Sequence, residues 1–268
     1  MSTDRGLVVI LVDGLSSKAA RHMGCLEGMV RCSMGVRKDI ASELPPISKP
    51  LYHCIFTGSE PSLTGLMGNH HGAPKRDPEN LFALARRRGL VTCAAAHNWF
   101  AELFGQWDLG QRGRFQDRPS GDISAGIYYF DDAYPDSHVL QDGEWLIKRH
   151  RPGLALVHTM GVDNAAHLYG GDSDRLVEAV MRCDQMISRF LQGLVNQGFL
   201  AIVTSDHGTM PSGLHGGTSE DETTVPLWAF PKPPGMLMEA FEGTERQRDM
   251  KALMLEFLKV VRRDVKDS

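Results

Sequence analysis

Three features of the 268-residue chain predict an α/β fold, with a mostly parallel central sheet and helices on both faces. Apolar runs of strand length recur along it: "GLVVILVDGL" at 6–15, "LVTCAAA" at 90–96, "GLALVHTMG" at 153–161 and "FLAIVTSDHG" at 199–208. Such near-continuous runs suit strands buried on both faces, as in parallel sheets. Segments with helical spacing separate them, the pattern of repeated strand–helix units. Acidic residues stand where two of the runs end, at Asp13 and Asp206, and open parallel sheets keep their sites at the carboxyl ends of their strands.

After the first strand, "SSKAARHMGCLEGMV" at 16–30 reads as a helix. Glu43-Leu44-Pro45-Pro46 breaks the chain before a helix that starts at Ser48, with Leu51, Ile55 and Phe56 on one side. A Gly-rich loop covers 57–74, "DPENLFALARRRG" is a capped helix, and 106–125 has the weak periodicity of a loop. The stretch 173–198 is a long helix with a Ser cap and a Gly stop. "VPLWAF" at 225–230 is a further strand, and 246–263 an amphipathic closing helix. No repeat, low-complexity tract or linker divides 1–268, which reads as one domain.

Composition narrows the function classes. The chain is 42% hydrophobic and 23% charged, with a net charge of -4, so no global basic field draws it to a nucleic acid polymer or to anionic lipid. The cluster Arg86-Arg87-Arg88 falls at a helix end, where cations suit the dipole. Five cysteines without a CxxC pair, and no apolar leader, point to a reducing cytoplasm. No apolar run has the length of a membrane span. The expected partner is a small molecule, with self-association left open.

The predicted strand ends gather Asp13, then Asp163 and His167, then Asp206 and His207, with His215 a short loop later. Each alone has an ordinary explanation as a turn or capping residue. Three Asp and three His on one sheet edge are more than turn chemistry places there. Mixed carboxylate and imidazole ligation suits zinc, with manganese as the alternative. Six ligands exceed one tetrahedral zinc and suit two divalent ions, each with an open position. Ser48 opens a helix followed by Lys49 and Pro50, and a helix N-terminus seats an anion. On these residues alone Ser48 is either an N-cap or a nucleophile.

The ordered set "VDG" at 12–14, "PPISKPLYHCIFTG" at 45–58, "MGVDNAAHLYG" at 160–170, "TSDHGTM" at 204–210 and "LHGG" at 214–217 resembles the alkaline phosphatase superfamily. It is most similar to the nucleotide pyrophosphatase/phosphodiesterase branch. The resemblance implies one metal held by Asp163, His167 and His215. It implies a second held by Asp13, Asp206, His207 and the side-chain oxygen of Ser48, which becomes the nucleophile. A cation on that hydroxyl lowers its pKa, and in-line attack then yields a phosphoserine that water hydrolyses. Asn69, at the end of "TGLMGN", matches a branch asparagine that donates to a phosphate oxygen, although Thr64 replaces the usual histidine. Lys49 faces either the substrate or solvent.

Some monoesterases of the superfamily bind the extra phosphate charge with a Lys-x-Arg pair, and here His97-Asn98-Trp99 takes that place. Losing two fixed cations favours a diester or a phosphonate ester over a monoester. "SKPLY" is also similar to the sulfatase signature, but Tyr52 replaces its arginine. Larger members carry a capping insertion between the DHG motif and the last metal histidine, whereas His207 and His215 are eight residues apart. The expectation is therefore a core without a large cap domain, with specificity drawn from 99–145. A metal-binding pseudoenzyme would be expected to have lost one of the seven positions, and all are present.

Overall fold

Strand β1 (Leu7–Val12) has no exposed residue. Alternation sends Leu7, Val9 and Leu11 into one core and Val8, Ile10 and Val12 into another, so β1 lies between two apolar layers. The other strands are β2 (Val36–Ala41), β3 (Thr92–His97), β4 (Phe115–Asp117), β5 (Ala125–Tyr129), β6 (Leu154–Thr159), β7 (Leu200–Thr204) and β8 (Thr224–Phe230). They form one eight-stranded sheet in the order β2-β8-β7-β1-β6-β3-β5-β4. The five from β7 to β5 are parallel, and β8, β2 and β4 join by antiparallel pairing. The structure is a computed structural model that describes residues 5–70, 72, 74–105, 113–117 and 121–261.

Eight helices of seven residues or more are described: α1 (Gly24–Arg31), α2 (Ser48–Thr57), α3 (Leu81–Arg87), α4 (Asp136–His150), α5 (Gly161–Tyr169), α6 (Asp174–Asn196), α7 (Gly235–Gly243) and α8 (Met250–Val260). Tyr52, Ile55 and Phe56 of α2, with Phe82 of α3, Phe241 of α7 and Phe257 of α8, fill the layer that takes Leu7, Val9 and Leu11. The opposite layer takes Leu26 of α1, Ile147 of α4, Val162 of α5 and Leu191 of α6. Among the described residues, no helix is long and apolar enough to cross a membrane.

The expected mostly parallel sheet is present, and the differences are local. The segment 16–30 is two helices, Ser17–Ala20 and α1, where one was expected. A distant side chain makes the break: the Asp184 carboxylate on α6 accepts the N–H of Cys25 at 2.7 Å and of Leu26 at 3.0 Å, starting α1 afresh. The strands β2, β4 and β5 were not anticipated. Edge strand β2 reads "VRKDIA" and β4 "FQD", so neither has an apolar run, and β5 is only five residues long.

The stretch 99–145, expected to be specificity loops, contains buried β5 and the first turns of α4. Gly143 hides α4 from pattern reading. A Cβ there would lie 2.7 Å from Val157, so the glycine lets α4 lie close on β6. The parts of that stretch at 106–112 and 118–120 lie outside the described residues.

Asp184→Ala removes the only carboxylate on the Cys25 and Leu26 amides among the described residues. Stability to urea should fall by about 1–2 kcal/mol, the usual worth of a helix N-cap.

Candidate metal centre

The chain leaving β1 and β7, together with α5, brings the predicted residues to one edge of the sheet. Asp13 follows β1 and bonds its N–H to the Thr159 carbonyl at 2.9 Å. Gly14 then turns with a φ of 70°, and a Cβ there would lie 2.7 Å from Asp163, so glycine is needed for β1 to meet the first turn of α5. Asp163 and His167 stand four residues apart on one face of α5, with the carboxylate and Nε2 3.1 Å apart. Asp206 and His207 follow β7. His215 arrives after a tight turn in which Gly213 N–H bonds the Met210 carbonyl at 2.8 Å.

Two groups result, and each has ligand atoms close enough to share one ion: Asp163, His167 and His215, and Asp13, Asp206 and His207. These are the two groups that the resemblance implies. They adjoin each other, since the rings of His207 and His215 stack at 3.8 Å. The second group is wholly buried, whereas His167 is 38% exposed and opens the first toward solvent.

The donor set fits a cation. Asp13 Oδ1, Asp163 Oδ1 and Asp206 Oδ2 are buried without hydrogen-bond partners, one bare oxygen from each acid. Burial first, and then the negative charges of Asp206 and Asp163, push the Asp13 carboxyl well above the usual range. Burial and the charge of Asp163 push Asp206 up to about 7. Asp163 goes the other way. Burial opposes its ionisation, but the His167 hydrogen bond and three nearby histidines outweigh it. Three converging carboxylates in a dry pocket call for positive charge, which divalent ions supply.

Histidine tautomers agree. His207 Nδ1 lies 3.1 Å from the Gly208 carbonyl, and His215 Nδ1 lies 2.9 Å from that of Pro46. A carbonyl can only accept, so both Nδ1 atoms carry the proton and both Nε2 lone pairs face the carboxylates. His207 Nε2 is 3.3 Å from Asp206 and 3.5 Å from Asp13. Burial pulls the pKa of both rings down.

Ser48 is the first residue of α2 rather than its N-cap. Ile47 holds the N-cap position and offers no side-chain cap. The Ser48 hydroxyl is buried, 3.1 Å from His207 Nε2, beside the second ligand group. Asn69 Oδ1 accepts the backbone N–H of Lys49 at 2.9 Å, which seats the carboxamide against the start of α2. Lys49 is not solvated, as one of its two readings had it. Its side chain is buried and its Nζ pairs with Glu102 at 2.7 Å, so its charge is already matched. At the place of the Lys-x-Arg pair, His97 is buried with its pKa lowered to about 4, by burial first and then by the Lys49 charge. Trp99 packs edge-on against it at 4.2 Å.

Pattern reading missed His158 and Tyr129, and took Tyr52 only as a misfit to another signature. Tyr52 OH donates to Asp13 Oδ2, and His158 Nε2 lies 3.1 Å from the same oxygen. Tyr129 OH lies 2.7 Å from His158 Nδ1. One signal was available: His158 is the lone imidazole in an otherwise apolar strand, and β6 pairs with β1.

The chain and its sheet belong to the alkaline phosphatase superfamily, whose members similar to it are phosphoester hydrolases or transferases. Within it, the chain belongs to the type I phosphodiesterase / nucleotide pyrophosphatase family, whose profile matches residues 7–219. GPI ethanolamine phosphate transferase 3 of Saccharomyces cerevisiae is 27% identical over 196 residues, 68% of this chain and 17% of that protein. The chain thus spans about a fifth or less of that relative's length. In fold it is similar to murine ectonucleotide pyrophosphatase/phosphodiesterase 5 solved with AMP, with a TM-score of 0.70, 11% identity, and coverage of 96% of this chain and 95% of the other. The zinc complex of the C-terminal periplasmic domain of Escherichia coli EptC gives 0.67 at 13% identity, covering 99% and 88%.

Asp206 sets a pH dependence for the metal-stripped protein. Its folded pKa of about 7 exceeds the ordinary 3.8, so the folded state loses stability on its account as pH rises from about 4 through about 7. Asp206→Asn should raise the thermal midpoint of chelator-stripped protein at pH 8, and the gain should shrink at pH 5. Thermal unfolding at the two pH values checks this.

Proposed function

We propose that the chain is a two-metal phosphoric ester hydrolase that cleaves small phosphodiesters through a phosphoserine on Ser48. The observation that carries this reading is the Ser48 hydroxyl at the N-terminus of α2, 3.1 Å from His207 Nε2. Beside it, the acids of both ligand groups each turn a bare oxygen inward.

Asp163, His167 and His215 would hold one divalent ion, and Asp13, Asp206, His207 and Ser48 Oγ the other. Zinc suits these donors best, with manganese the alternative. When bound, the ions supply Lewis acidity, lowering the pKa of the serine hydroxyl and neutralising phosphoryl charge. Ser48 Oγ forms its bond to phosphorus while the bond to the leaving oxygen breaks, its electron pair departing with the alcohol. Water then cleaves the Ser48 ester and regenerates the hydroxyl. The dipole of α2 stabilises the incoming anion. Asn69 has its oxygen on the Lys49 amide, which leaves its NH2 group to donate to a non-bridging phosphate oxygen.

Charge favours the diester. His97 is neutral and Lys49 is matched by Glu102, so the second charge of a monoester dianion meets no compensating cation from these residues. A second reading has one observation behind it: the sequence relatives are named as ethanolamine phosphate transferases. In that reading an alcohol replaces water in the second step, and Ser48 keeps its role.

Metal-loaded protein should turn over bis-p-nitrophenyl phosphate faster than p-nitrophenyl phosphate, and Ser48→Ala should abolish both while retaining most of the bound metal. Activity surviving in Ser48→Ala would sink the nucleophile assignment. A monoester preference would overturn the diester reading, and phosphorylated alcohol formed in the presence of added alcohols would favour transfer. Asn69→Ala should slow turnover by about a hundredfold, the usual worth of one transition-state donor.

A further inference from the structure

Asp13 differs from the other two acids in how its second oxygen is used. Asp206 Oδ1 accepts the Gly14 amide at 3.2 Å and the Ser205 hydroxyl at 3.4 Å. Asp13 Oδ2 takes two side chains from opposite directions, Tyr52 OH from α2 and His158 Nε2 from β6. Behind His158 stands Tyr129 of β5, whose hydroxyl lies 2.7 Å from Nδ1 and 3.0 Å from the His158 carbonyl. All four residues are buried.

An ionised Asp13, the form that binds a cation, sets the proton placement in the chain of contacts. Oδ2 is an acceptor, so His158 Nε2 carries the proton and Nδ1 has a lone pair. The Tyr129 hydroxyl is then the donor to that lone pair, at 2.7 Å the shorter of its two contacts with His158. Burying two phenols and an imidazole in an apolar layer costs stability unless each is satisfied, and here each has a partner. None of the three reaches Ser48 or a second ligand. Tyr52 and His158 converge on one oxygen of one acid, and Tyr129 stands behind His158.

We infer that Tyr52, His158 and Tyr129 are positioning residues that fix Asp13 as a one-oxygen ligand, holding Oδ2 so that only Oδ1 is presented to the metal. This rests on the metal-centre reading above. Tyr52 is also four residues after Ser48 on α2, so the two lie on one face of the helix and one rigid element sets both nucleophile and ligand. His158 acts on Asp13 directly, and Tyr129 acts through His158 by fixing its tautomer.

Chelator-stripped wild type and variants would be titrated with cobalt(II) and zinc(II), reading the dissociation constants and the visible absorption of the cobalt form. Tyr52→Phe and His158→Leu should each weaken binding about tenfold or more and shift the cobalt spectrum, the scale expected when the partner of a metal ligand is lost. His158→Gln, whose amide nitrogen can replace the Nε2 donor, should recover most of the loss. Tyr129→Phe, which leaves Asp13 untouched, should move the same readouts by less. Constants within about threefold of wild type and an unchanged spectrum in Tyr52→Phe and Tyr129→Phe, both close in shape to the native residue, would overturn the inference while leaving the metal centre standing. No metal binding by wild type would overturn both.

Discussion

Three carboxylates forced together in a dry pocket are the constraint around which the rest of the structure is arranged. Asp13, Asp163 and Asp206 come from β1, α5 and the end of β7, and each points a bare oxygen inward. Without a counter-charge they destabilise one another and the fold, which the raised Asp13 and Asp206 carboxyls express. Neighbouring parallel strands make the convergence unavoidable. β6 and β7 flank β1 in register, so the chain leaving each is delivered to the same edge.

Much of the surrounding structure holds these groups at fixed angles. Gly14 gives the space in which β1 and α5 nearly touch, and backbone carbonyls of Pro46 and Gly208 orient the imidazoles. Glu222 is buried and ties down the His215 loop through the amides of Gly217 at 2.6 Å and Ser219 at 3.2 Å. Gly213 closes the short turn before His215. Its φ is 82°, and a Cβ there would run into the Ala166 carbonyl of α5. In place of a capping insertion, this turn packs directly on the helix that carries Asp163 and His167.

The charge balance around Ser48 has the same economy. Lys49, the neighbour of Ser48, faces inward to Glu102, which Asn98 also contacts at 3.1 Å. A cation that sequence position places beside Ser48 thus anchors α2 to the segment after β3. The start of α2 keeps its dipole for an anion, while the Lys49 amide positions Asn69.

Four of the five parallel strands were legible because burial on both faces writes itself as uninterrupted apolar runs, and the two Asp–His groups because acids and histidines at the ends of such runs have few other reasons to be there. Both are local signals. The strands β2 and β4 were not legible, since edge strands need only one apolar face, and α4 was masked by Gly143, whose purpose appears only against Val157. Asp184 starting α1 from another helix, Glu102 drawing Lys49 inward, and His158 reaching Asp13 each join residues more than fifty positions apart. The sequence by itself therefore determined which side chains reach the sheet edge, because strand period and turn chemistry act over a few residues. Which oxygen of each acid stays bare, which nitrogen of each histidine carries the proton, and which charges are already matched were decided only by the tertiary structure, because hydrogen bonds and burial depend on neighbours that are distant in the chain.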